Sequence, residues 1–175
     1  MKKSTEVKYI VYKPLPDNMK DEFMNHLINT GHKESTILEV EEMLKSGSYL
    51  IICGFLDEKI VAHISLKIQF IRIPILAPSA KIPSDFVFMK EKEIFVYTFA
   101  VEKLLRNKGI GTRLQKEAIK TGIENRYYQM RSWSSLDKKQ NYRIKHKLGF
   151  CIVPGWTYVE RLNEWFEGVY FIKKL

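Results

Sequence analysis

Cysteine is nearly missing from this chain: Cys53 and Cys151 are the only two in 175 residues. Two lone thiols make neither a disulfide framework nor a metal site, and no metal is expected. They suit a reducing, cytoplasmic setting. Long apolar runs are missing too. The strongest, Tyr49–Leu56, is far shorter than the ~20 residues a spanning helix needs and reads as a buried strand. Residues 1–6 lead into no apolar stretch, which argues against a signal peptide and for no membrane association. There is no internal repeat or low-complexity segment. With 45% hydrophobic residues, disorder is excluded and one domain over residues 1–175 is expected, long enough to bury a core.

Net charge is not lacking, but it is uneven. Residues 1–100 carry 13 Lys/Arg against 13 Asp/Glu, whereas residues 101–175 carry 16 against 7. Within 103–147 the count is 13 against 3. One half of the chain therefore suits an anionic ligand, with a plain solvated basic face as the alternative. The ligand's attraction would be long-ranged and sensitive to salt. A nucleic acid would also fit such a face, but the aromatic-basic pattern of a nucleic-acid module is absent, which makes that the weaker reading.

The basic half holds the stretch that organises the rest, residues 93–122. It opens with an apolar run at 94–101, broken only by Thr98 and the Tyr97 hydroxyl, the pattern of a strand covered on both faces. Then come Arg106-Asn107-Lys108-Gly109-Ile110-Gly111-Thr112. After these, Ile110, Leu114 and Ala118 recur every four residues, the stripe of an amphipathic helix. The segment reads strand, glycine loop, helix. A helix's first turn leaves N–H groups unpaired and its dipole favours negative charge there. Gly109 and Gly111 would let phosphate oxygens approach those groups. The frame is neither a P-loop nor a dinucleotide G-x-G-x-x-G.

Phe99-Ala100-Val101 followed at this spacing by Arg106-Asn107-Lys108-Gly109-Ile110-Gly111 resembles the acetyl-CoA-binding signature of the GNAT N-acetyltransferase superfamily. Lys147-Leu148-Gly149-Phe150 resembles the box that closes the family's next helix. The resemblance implies an α+β fold of three layers, α/β/α. Its sheet is mixed and mostly antiparallel, with a central parallel strand pair. It also implies acetyl-CoA as co-substrate, whose roughly four negative charges match the basic half. The backbone of Phe99, Ala100 and Val101 would bind the pantetheine arm as an added strand. The N–H groups of Asn107, Lys108, Gly109, Ile110, Gly111 and Thr112 would hold the diphosphate, assisted by Arg106.

The elements around it follow from pattern. A first strand at 7–12 ends at Pro14 and Pro16. Asp17 is expected to cap a helix with Met19, Phe23 and Leu27 buried, broken by Gly31. Thr36 to Glu39 fits a capping box, so a second helix should run to Lys45. In the family this helix pair flanks the acceptor. His26 and His32 read as exposed helix or loop histidines, with a catalytic role as the alternative. A hairpin turns at Asp57-Glu58-Lys59 between Tyr49–Leu56 and 60–73. Its second arm alternates, with His63, Ser65, Lys67 and Gln69 on one face, as a half-covered strand does. Residues 74–92, rich in proline, read as a flap or a surface loop. Residues 126–133 should return as a strand parallel to 94–101. Ser134, Ser135 or Asp137 would cap a helix over 138–147 ending at Gly149. Strands begin at 149–153 and span 168–172. Trp156, Tyr158, Trp165 and Phe166 suit core packing or a homodimer contact.

For chemistry, the family often has a tyrosine acid four residues before the glycine of the closing box. Here that position is Lys145, and Tyr142, one turn earlier, is the candidate acid for the departing thiolate. Lys138 stands where an asparagine is often found and would touch a CoA phosphate; Lys145 could do the same. Glu93 begins the central strand on the face of Phe95 and Tyr97 and is the candidate base for the amine. Its alternative is a strand-end glutamate paired on the surface. The acceptor, small molecule or peptide, stays open. So does a non-catalytic acyl-CoA-binding module, which the lysine at 145 motivates.

Overall fold

The computed structural model describes residues 6–71, 90–159 and 163–175. Its elements are β1 (Lys8–Tyr12), α1 (Asp17–Asn29), α2 (Glu34–Ser46), β2 (Tyr49–Leu56), β3 (Lys59–Phe70) and β4 (Lys92–Val101). They continue with α3 (Ile110–Glu124), β5 (Gln129–Ser135), α4 (Lys139–Lys147), β6 (Cys151–Val159) and β7 (Glu164–Lys174). The strands form one mixed sheet in the order β1-β2-β3-β4-β5-β7-β6, with β4 and β5 as its parallel pair. The expected α+β class is borne out. The chain divides into two compact units, Met1–Ile68 with Val96–Thr121, and Gln69–Phe95 with Gly122–Leu175.

In the first unit, α1 and α2 bury Phe23, Leu27, Val40 and Met43 against Tyr49, Ile51 and Cys53 of β2. The β2–β3 hairpin turns where expected, on Asp57 and Glu58 at φ of 47° and 66°. These are the left-handed values that a tight hairpin turn requires. β3 is not half-covered. Cys53 pairs with His63 and Ile51 with Ser65, so these polar side chains share the face that α1 and α2 cover, and both are fully buried. His26 is likewise buried, at 3% exposure, rather than out on a helix surface. On α3 the expected stripe of Ile110, Leu114 and Ala118 is buried.

In the second unit, β7 pairs antiparallel with both β5 and β6. Gly168 makes the first pairing possible. A Cβ there would collide with the Ser134 carbonyl and the Trp133 ring. The β5 strand starts three residues later than the pattern implied, because Arg126 sits in a turn at φ 57°.

The expected caps do not form. α1 begins at Asp17 itself, which pairs with Lys20 at 2.6 Å instead of capping. α2 begins two residues before Thr36 with Lys33 as an uncapping neighbour, so Glu39 lies mid-helix and is free to reach elsewhere. α4 follows Lys138 without a side-chain cap, while the Ser135 hydroxyl meets Asp137 at 2.5 Å. Cys53 is buried and Cys151 exposed, both as free thiols. Burial pushes the Cys53 thiol up to about 12. The flap or loop expected at 74–92 falls, but for its last three residues, outside the described residues. Among those described, no helix is long and apolar enough to cross a membrane.

Candidate active site

The site begins where β4 hands over to α3. Arg106 folds back so that its Nε donates to the Val101 carbonyl at 2.9 Å. Loop and strand end are thus tied, and two guanidinium nitrogens remain outside that bond. Asn107 (φ 63°) and Gly109 (φ 80°) are both left-handed. Such a turn points successive N–H groups to one side, as anion-binding nests do. The Gly109 carbonyl accepts from Arg113 N–H at 3.0 Å, so Gly109 caps α3. The N–H groups of Ile110, Gly111 and Thr112 then have no acceptor within the helix. α1 and α2 each start on an acid, Asp17 and Glu34, but α3 has none in its first turn. Its positive end is therefore not offset by its own side chains.

The cradle fits the diphosphate of CoA. A Cβ built on Gly109 would meet nothing within 4 Å. Glycine is needed there for its backbone angle, and the space above it is open. Arg106 and Lys108 on the loop and Arg113 in the first turn of α3 supply positive charge.

Upstream, β4 contains one extra residue. Ile71 N–H donates to Glu91 O and Glu102 N–H to Val61 O. Between these bonds β4 takes eleven steps, 91 to 102, where β3 takes ten, 61 to 71. That is a β-bulge, and it shifts the alternation of side chains by one. Its position follows from the contacts. The Tyr97 hydroxyl donates to Glu39 of α2, and Tyr97 packs on the α1–α2 core. The Thr98 hydroxyl, one residue on, meets Ser65 at 2.5 Å and His63 Nε2 at 3.1 Å on that same face. Two neighbours on one face of a strand require the extra residue to fall there. Beside the bulge, Tyr97 lines a hollow with Glu39, Glu42, Met43, Ser46 and Lys67.

Behind Thr98 stands a histidine cluster. His63 meets His26, His32 and Phe23 with ring centroids 5.1 to 5.4 Å apart. Burial holds His63 well below the usual imidazole range, with the charges of His26 and His32 adding to it. Burial, and then His32, pushes His26 down to about 4. Among the described residues no group of three or more His, Cys, Asp or Glu is arranged to hold a metal.

The second unit holds the other candidates. Glu93 is neither an open base nor a surface residue. Its Oε1 accepts from Gln69 at 2.8 Å and meets Arg131 at 2.7 Å, and its Oε2 accepts from Gln129 at 2.7 Å. Arg131 in turn lies 5.4 Å from both the Phe95 and Tyr170 rings. Tyr142 packs edge-on against Phe171 at 5.1 Å, and its buried hydroxyl has no hydrogen-bond partner among the described residues. Burial raises its pKa, with Asp137 adding to the shift. Lys138 is exposed and pairs with Asp137 at 3.1 Å. Lys145 is 1% exposed, with Nζ 4.3 Å from the Phe150 ring centre. Burial lowers it to about 7. A lysine so buried is not placed to meet a phosphate in solvent.

The acetyltransferase (GNAT) family model matches residues 17–150. The chain belongs to the GNAT acetyltransferase family. Members of this family transfer acetyl groups and generally use acetyl-CoA as co-substrate. Similar solved structures agree on the fold. An N-acetyltransferase from Staphylococcus aureus Mu50 superposes with a TM-score of 0.70 at 12% identity, covering 97% of this chain and 98% of its own. NAA60 from Arabidopsis thaliana, solved with a bisubstrate analogue, gives 0.64 at 13%, covering 95% and 98%. An aminoglycoside 6'-acetyltransferase type Ii gives 0.65 at 20%, covering 95% and 96%. No curated protein sequence matches the chain.

Several side chains of the candidate site lie outside the sequence pattern. In sequence Glu39 fits half of a capping box, and Tyr97 only a strand. Ser65 and His63 fall on the polar face of the β3 alternation. Nothing local marks the last two, since alternation with Ala62, Ile64 and Leu66 is equally the pattern of a half-covered strand.

Proposed function

We propose that this GNAT protein, acting as one domain over residues 1–175, moves an acetyl group from acetyl-CoA to a primary amine by direct attack. The observation that carries the reading is the start of α3, where a left-handed glycine, unpaired N–H groups and no first-turn acid form an anion cradle. Bound there, acetyl-CoA would supply a thioester carbonyl open to an amine. In this reading Asn107 to Thr112 and Arg106 hold the diphosphate, and Lys138 adds a charge. The backbone of Phe99, Ala100 and Val101 lines the arm. Because Arg106 already occupies one lone pair of the Val101 carbonyl, the groups of Phe99 and Ala100 carry more of that pairing. A backbone N–H near Phe99 would receive the developing oxyanion.

For the acceptor, the hollow beside Tyr97 and Glu39 offers hydrogen-bond acceptors that would draw in an ammonium, which gives its proton to solvent before the neutral amine attacks. Tyr142 is our candidate for returning a proton to the thiolate. It is supported by a hydroxyl that burial keeps protonated and that no described residue claims. Glu93, whose oxygens already take three donors, we assign to anchoring rather than to proton removal. The cytoplasm, a reducing compartment, suits its two free cysteines.

The test is release of free CoA thiol over a panel of small amines, polyamines and peptide N-termini. Turnover with any of them supports the reading. Tight CoA binding without thiol release across the panel would favour a non-catalytic acyl-CoA-binding protein, the reading that Lys145 motivates. No CoA binding at all would remove both.

A further inference from the structure

The bulge in β4 is held by side chains rather than by the ladder alone. Thr98 donates its backbone N–H to the Ser65 hydroxyl at 3.0 Å. The Thr98 hydroxyl then sits 2.5 Å from Ser65 Oγ and 3.1 Å from His63 Nε2. His63 and Ser65 are fully buried and Thr98 is 3% exposed, so water cannot replace these bonds. Sheet cores rarely bury three polar side chains, because an unpaired one there costs about 1–3 kcal/mol. Here Thr98, Ser65 and the His63 Nε2 complete one another, while His63 Nδ1 has no hydrogen-bond partner among the described residues. Ser65 accepts one backbone hydrogen and shares one between hydroxyls, and the imidazole nitrogen closes the chain.

The bonds lie at the one place where alternation slips. Upstream, Tyr97 faces α2. Downstream, the slip turns Ala100 to that face and sends Phe99 and Val101 to the other. A bulge leaves backbone groups out of the regular ladder and re-aims the strand that follows. The three residues that follow Thr98 are those whose backbone receives the pantetheine arm in the reading above, on which this inference rests. We infer that Thr98, Ser65 and His63 form a clamp that positions residues 99–101 for that arm. They are positioning residues, acting through the strand and touching no reacting atom.

The clamp makes a specific demand on its ligand. It should matter for a ligand with the arm and be irrelevant to one without it. Calorimetry on purified full-length protein would compare CoA with its nucleotide half, which carries the same phosphates but no pantetheine. Thr98→Val removes the hydroxyl at almost constant volume. It should weaken CoA binding about tenfold, the worth of roughly one buried hydrogen bond, and leave the nucleotide half unchanged. Thr98→Ser should restore CoA affinity. Ser65→Ala offers the same loss from the neighbouring strand if Thr98→Val fails to fold. A residue that merely stabilised the core would lower Tm while shifting both ligands alike or neither. Equal CoA affinity in wild type, Thr98→Val and Ser65→Ala would overturn the clamp and leave the cradle standing. Failure of the wild-type protein to bind CoA would overturn the cradle itself.

Discussion

Glu93 and Arg131 meet at 2.7 Å with their side chains 0% and 4% exposed. The pair joins the start of β4 to β5 within the second unit, flanked by Gln69 and Gln129 on the carboxylate and by two aromatic rings on the guanidinium. A buried pair whose carboxylate takes three donors is costly to break, because the surviving charge is left without solvent or partner. Glu93→Ala should therefore lower stability by ~3–5 kcal/mol in urea denaturation. The variant that folds should still bind CoA. Unchanged stability with lost turnover would return Glu93 to the role of base.

Gly109 is a backbone requirement first. At φ 80° with open space around it, Gly109→Ala should cost about 1 kcal/mol of stability from its left-handed angle. Gly109→Glu adds a negative charge at the N-terminal end of α3 and should reduce CoA affinity by more than ~100-fold, since it neutralises the positive helix end and repels the phosphates. Calorimetry at fixed salt reads both. Equal CoA affinity in Gly109→Glu would move the diphosphate away from this loop.

Tyr142 keeps its ring contact with Phe171 whether or not it has a hydroxyl. Tyr142→Phe should then leave Tm nearly unchanged while turnover falls by ~100-fold, the lower end for a lost general acid. CoA affinity should change little. Full turnover in the variant would remove Tyr142 from the chemistry.

His26 folds with its pKa depressed from 6.5 to about 4, chiefly by burial. Unfolded chains bind its proton below pH 6.5 and folded ones do not. Stability contributed by the neutral form is therefore intact above 6.5 and declines as pH falls toward 4. The loss from this residue is ~3 kcal/mol. His63, depressed further, acts in the same direction. Unfolding free energy measured from pH 7 to 4 should fall more gently in His26→Gln than in the wild type. Parallel slopes would place the acid sensitivity elsewhere.

The Tyr97–Glu39 bond bears on the acceptor. Glu39→Gln removes the charge that would attract a protonated amine and should raise the acceptor KM about tenfold with little effect on CoA affinity. A shift in CoA affinity instead would connect Glu39 to the cofactor side.

The residues that were legible early are those whose role depends on neighbours in sequence. The apolar run before the loop, the left-handed Gly109, and Ile110, Leu114 and Ala118 on one stripe are local consequences of dihedral preference and helical period. They were sufficient for the class of fold and for the cradle. Glu39 was misread because a capping box and a free carboxylate look identical in sequence until the helix start is known. His63 and Ser65 were misread because alternation tells which residues share a face, not whether a helix covers it.

Local order, then, carried the strand–loop–helix unit and the family it resembles, since three-residue angles and four-residue periods need no distant partner. Folding alone decided that β4 slips by one residue at Thr98, that Glu93 is locked by Arg131, and that Tyr97 reaches Glu39. Each joins groups tens of residues apart, and only packing sets whether a buried polar atom finds its mate.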